Sequence, residues 1–194
     1  MKKINVKKMA TIALLMALVI VMQFVSSMIP SFGGFNFSLV LIPIVLGAAM
    51  YGPATGALLG ATFGTIVFIN CVTGADVGGA MVLQANPIIC FLVVMGKGVL
   101  AGIASGWVYK LLKAKNSYLA IVLAAIVCPV VNTGIFVTFM LTVFVDVLSQ
   151  WSAGGDVIAY AFSAIILVNF VPELILNIVV SPASNRLIKV FKKQ

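Results

Sequence analysis

Two ionisable residues, Lys97 and Glu173, stand inside stretches that are otherwise apolar. A charge at such depth costs several kcal/mol and ordinarily faces a protein interior or a polar cavity. Lys97 could neutralise Glu173 in an ion pair, or it could meet an anionic ligand group such as a carboxylate; both readings stand. Amides and hydroxyls recur around them. Asn86 precedes Lys97 by eleven residues, nearly an integral number of helical turns, which predicts a shared face. Asn169, Glu173 and Asn177 follow one another at spacing four, a stripe about 80° wide at 100° per residue. Asn132 and Thr133 lie together in Pro129-Val-Val-Asn-Thr-Gly134. Amides and hydroxyls both donate and accept hydrogen bonds, so a ring of them suits reversible capture of a small polar solute. For any single asparagine, a bond between helices is the plainer alternative.

Covalent chemistry lacks its reagents. The chain has no histidine, and its four acids are scattered without a paired-carboxylate or metal-ligating arrangement. Cys71, Cys90 and Cys128 form no ligand motif and read as small apolar packing residues. No Gly-x-x-x-x-Gly-Lys-Ser/Thr loop is present to cradle a nucleotide. The expectation is therefore a protein that is not an enzyme and carries no metal or cofactor. Uphill movement of a solute would draw on a partner or an ion gradient.

The elements that hold these residues are membrane spans. Hydrophobic residues make up 63% of the chain and charged ones 8%, with mean hydropathy +1.25, whereas soluble domains carry about 25% charged residues. A length of 194 residues accommodates about six spans and no large extramembrane domain, so residues 1–194 are read as one membrane domain. In a lipid-immersed chain the net charge of +8 sets topology and meets anionic headgroups; no nucleic-acid partner is expected.

Eleven of the twelve basic residues fall in three clusters: Lys2, Lys3, Lys7, Lys8; Lys110, Lys113, Lys115; and Arg186, Lys189, Lys192, Lys193. Basic span ends favour the cytoplasm, and the clusters can share that side only if even numbers of spans separate them. The hydropathy meets this condition with spans at 9–29, 38–51, 54–71, 87–109, 118–145 and 157–181. The first is read as a retained helix and not as a cleaved leader. Polar loops at 72–86 and 146–156, the latter with Trp151 as an interfacial anchor, would face outward. The predicted fold is a compact all-α bundle of six transmembrane helices with both termini cytoplasmic.

Small residues mark helix contacts, because close backbone approach replaces the hydrophobic effect in lipid. Gly52, Gly56, Gly60 and Gly64 repeat at spacing four, as do Gly98, Gly102 and Gly106. Packing within the bundle is the main reading and an oligomer interface the alternative. Ala13 and Ala17 form a similar face on the first span.

The chain resembles the substrate-binding S components of energy-coupling factor vitamin transporters over nearly its whole length. The likeness is carried by Ala13-Leu-Leu-Met-Ala17, Asn36-Phe-Ser before Ile42-Pro43, Tyr51-Gly-Pro-Ala-Thr-Gly56, and Val171-Pro-Glu-Leu-Ile-Leu-Asn177, in that order. The resemblance implies a multi-pass subunit of the bacterial cell membrane that captures a vitamin from outside with spans 4 to 6 and the outer loops, including the one after span 1. It implies Asn86, Lys97, Asn132, Thr133, Asn169 and Asn177 as pocket candidates, and Ala13 and Ala17 as contacts to a transmembrane coupling subunit. Two ATP-binding subunits would supply energy, and the S component would topple to release its ligand. The riboflavin-type pattern is not reproduced, few aromatic residues fall in the presumed pocket region, and Pro129–Gly134 looks most like pantothenate-type members. The competing function is a self-sufficient secondary transporter or channel, for which no inverted repeat is evident.

Overall fold

In a computed structural model, residues 6–28 and 39–193 are described, and all regular structure among them is helical. Helix α1 covers Val6–Met28, α2 Leu41–Tyr51, α3 Pro53–Thr73, α4 Val77–Ala85, α5 Pro87–Leu112 and α6 Ser117–Thr142. Short helices α7 (Val145–Trp151) and α8 (Val157–Tyr160) follow, then a π-wound stretch at Ala161–Phe170 that runs into α9, Val171–Lys193. Among the described residues, five helical stretches are long and apolar enough to cross a membrane: 6–27, 53–73, 87–112, 117–142 and 157–190. The eleven-residue α2 is apolar but reaches only about 16 Å at 1.5 Å per residue. It is enclosed by α1, α3, α5, α6 and α9, which explains why it is apolar on all sides. Large apolar side chains such as Leu14, Phe24, Ile88, Leu92 and Val179 point outward, as a lipid-facing surface requires.

The central contact is α3 against α5. A Cβ at Gly60 would collide with the Gly98 carbonyl, one at Gly102 with the Gly56 carbonyl, and one at Gly64 would lie 3.0 Å from the Met95 backbone. Residue numbers rise on α3 as they fall on α5, so the helices are antiparallel and touch backbone to backbone. The glycine repeats are thus used within the molecule. Gly52 turns the chain between α2 and α3 with φ of 97°, a conformation that favours glycine, and Pro53 follows at the first helical position.

One end of the bundle gathers the basic clusters. Lys8 Nζ lies 5.7 Å from the ring centre of Tyr51 at the α2–α3 corner. Gly106 of α5 abuts Pro53. The Tyr109 and Ser117 hydroxyls are 3.4 Å apart, and Ser117 Oγ donates to Asn185 Oδ1 at 3.3 Å. These contacts place the start of α1, the α5–α6 turn and the tail of α9 together.

Several boundaries differ from expectation. The polar stretch 72–86 contains α4, because the Asp76 side chain accepts from Gly79 N and caps it. The fifth span stops at Thr142, and α7 occupies part of the predicted second loop. The last span does not end at Ser181 and is not broken at Pro172. It continues through Pro182, and the buried Ile188 and Asn185 hold its final turns to the bundle. Before Pro172 the backbone is already π-wound, with Val171 N donating to Ile166 O five residues back. Lys2, Lys3 and the Asn36-Phe-Ser motif lie outside the described residues.

Gly60→Val should disrupt the seam and lower stability by about 1–3 kcal/mol, the usual range for overpacking. Gly134→Ala, with open space around its Cβ position, should raise stability by up to ~1 kcal/mol through helix propensity. Thermal unfolding in detergent reads both; equal effects of the two substitutions would remove the seam from its central place.

Candidate ligand-binding site

The helices enclose a cavity at the end opposite the basic clusters, with about 920 Å³ of space including its mouth. Its rim carries Asp76, Gly79 and Trp151, and its interior carries Lys97, Asn132, Thr133, Asn169 and Glu173. Lys97 sits about 15 Å below the start of α5 by helical rise, next to Gly98, so the glycine seam fixes its height. The cation is held over aromatic faces: Lys97 Nζ is 4.8 Å from the Phe136 ring centre and 5.8 Å from that of Phe63. Such contacts favour a cation without neutralising it.

Glu173 is buried at 2% exposure, and its Oε1 finds no hydrogen-bond partner among the described residues. Lys97 and Glu173 line the same cavity but form no salt bridge there. Among the described residues, four more buried oxygens have no partner: Ser105 Oγ, which does not line the cavity, and Gln23 Oε1, Asn132 Oδ1 and Asn169 Oδ1, whose residues do. Buried polar atoms are ordinarily paired, and an unpaired acceptor costs about 1–3 kcal/mol. Four of them around one lysine therefore make a chamber suited to a solute that brings several donors and one anionic group.

Of the six pocket residues expected from sequence, Lys97, Asn132, Thr133 and Asn169 come together in the wall. Asn86 and Asn177 do not line it. Asn86 precedes Pro87, adopts an extended backbone, and caps α5 by accepting from Ile89 N at 3.0 Å. It therefore ends the regular helix and cannot share a face with Lys97. Asn177 is buried and donates through Nδ2 to the Glu173 carbonyl at 2.8 Å. Ala13 and Ala17 are exposed on the outer face of α1, away from the buried stripe of Leu15 and Val19.

Sequence reasoning missed three groups in the wall. Gln23 was hidden in an apolar span. Asp76 stands in a polar stretch of the sequence, and its cap of α4 brings it to the rim. The aromatic side chains are more numerous than expected: Phe63, Phe136, Phe139, Phe144 and Trp151 all line the cavity. Trp151 turns inward and not to the membrane surface, with Nε1 donating to Met81 Sδ at 3.2 Å. Cys71 and Cys90 also line the wall, and all three cysteines are free.

The unpaired acceptors generate a prediction of unusual sign. Asn132→Leu, at a position 6% exposed, should leave the ligand-free protein as stable or up to ~3 kcal/mol more stable, because it deletes an unsatisfied buried acceptor. Asn86→Ala should instead lower stability by about 1 kcal/mol through loss of the cap. A marked drop in the unfolding temperature of Asn132→Leu would mean that its amide is structural.

A family model described as ECF transporter, substrate-specific component, matches residues 7–184. The pantothenic acid transporter PanT of Lactococcus lactis subsp. cremoris (strain MG1363) is 25% identical over 194 residues, covering 94% of this chain and 94% of that protein. The family match runs from the first helix into the last and includes every wall residue of the cavity. The chain belongs to the substrate-specific components of ECF transporters, and it is a multi-pass membrane protein of transport, not an enzyme.

Proposed function

We propose that this subunit captures a small water-soluble vitamin or vitamin precursor carrying a carboxylate, with pantothenate the first candidate. The cavity opens outside the bacterial cell, and the basic end with both termini faces the cytoplasm, as the positive-inside rule favours. The observation that carries this reading is one lysine sharing a cavity with four buried acceptors, with no ion pair for the lysine and no partner for the acceptors among the described residues. Pantothenate offers a carboxylate for Lys97, and an amide N–H and a pair of hydroxyls for the acceptors. The PanT likeness supports the same ligand. The wall's aromatic content would suit thiamine, but Lys97 opposes a cationic ligand.

Delivery belongs to partners. The exposed Ala13 and Ala17 allow close approach of another helix, and in this reading the approaching helix is that of the transmembrane coupling subunit. Two ATP-binding subunits drive the cycle.

Pantothenate added to the purified protein in detergent should bind saturably and change the emission of Trp151. Lys97→Met should weaken binding about 10- to 100-fold, the value of a hydrogen bond to a charged group. An unchanged affinity in that variant, or absence of pantothenate binding to the wild type, would falsify the carboxylate-directed reading.

Ala17→Leu and Ala13→Leu should bind pantothenate normally, since neither residue touches the cavity. Uptake into liposomes containing the coupling subunit and ATPases should nevertheless fall at least about tenfold, because a bulky side chain blocks helix approach. Uptake by the chain alone under an ion gradient would favour a secondary transporter instead.

A further inference from the structure

We infer that Gln23 of α1 contacts the bound solute, so that the first helix forms part of the ligand wall as well as carrying the small-residue outer face. This rests on the reading of the cavity as a solute site. Leu15, Val19 and Gln23 follow at spacing four on the buried side of α1, and the stripe changes from apolar to polar where it reaches the cavity. Gln23 is 4% exposed, lines the cavity, and presents an Oε1 that has no partner among the described residues. A structural glutamine in an apolar setting would close that bond on a neighbouring helix.

The backbone around it is held for the purpose. Ser27 Oγ donates to the Gln23 carbonyl at 2.9 Å and accepts from Asn70 Nδ2 of α3 at 3.0 Å. Leu39 N donates to Ser26 Oγ at 3.5 Å, tying the chain that enters α2 to the same turn. The outer turn of α1 is therefore fastened to its neighbours on both sides of Gln23, while the Gln23 amide remains turned to the cavity. Its carbonyl oxygen accepts, so the ligand group it meets is a hydroxyl or an amide N–H. Lys97, on the α5 wall, takes the anionic end.

Gln23→Met and Gln23→Leu keep the volume and remove the acceptor. Both should retain the unliganded unfolding temperature and bind pantothenate about tenfold more weakly, the value of one buried hydrogen bond. A second measurement uses the unaltered chain. It contains four glutamines, Gln23, Gln84, Gln150 and Gln194, so side-chain ¹⁵N-glutamine labelling gives four amide signals, assigned by substituting the other three in turn. Pantothenate should shift the Gln23 signal and leave that of the exposed Gln84 in place. Affinity within twofold of wild type in either folded variant, or an unmoved Gln23 signal at saturation, overturns the assignment. A wild type that does not bind pantothenate at all overturns the functional reading, and the Gln23 assignment with it.

Discussion

Backbone contact between α3 and α5 is the constraint on which the rest of the molecule depends. In lipid, apolar side chains gain nothing by leaving the solvent, so helices associate through close packing and hydrogen bonds. Gly56, Gly60 and Gly64 allow α5 to approach until carbonyls lie where side chains would be. Lys97 is the neighbour of Gly98 in that contact, and Phe63 is the neighbour of Gly64. The same approach that joins the helices therefore sets the cation beside its aromatic ring. Moving one helix by a fraction of a turn would take the lysine out of the cavity.

Against this rigid pair, the polar wall is built from groups that the protein itself leaves wanting. Gln23, Asn132, Asn169 and Glu173 come from α1, α6, the π-wound stretch and α9, and each leaves an oxygen unpaired among the described residues. Side chains that bonded to one another would make a more stable bundle and a poorer receptor. The cost is tolerable because the seam, the enclosed α2 and the capped short helices supply stability elsewhere. Asn177 marks the boundary between the two uses: one turn beyond Glu173, it spends its donor on the Glu173 carbonyl.

The sequence was most legible where a single physical rule acted on several residues together. Basic clusters separated by even numbers of spans meet at one end, and glycines at spacing four meet across the central pair. Lys97, Asn132, Thr133 and Asn169 were visible because polar groups in apolar spans are costly and need a reason. Legibility failed where a local rule competed. Asn86 had the correct periodicity to face Lys97, but Asn before Pro is a helix start, and the cap took its side chain. Asp76 and Trp151 lay in polar stretches whose short helices turn them inward, which spacing alone does not reveal. Gln23 carried the same signal as Asn132, a lone amide in a span.

The two ends of the bundle are unlike. On the basic side, Gly106 rests on Pro53, buried Tyr109 reaches Ser117, which in turn donates to Asn185, and Ile121, Ala124 and Ile188 are buried. Among the described residues, side-chain bonds thus join α5, α6 and α9 at the basic end, while four of the five buried oxygens without a partner gather around the cavity at the other.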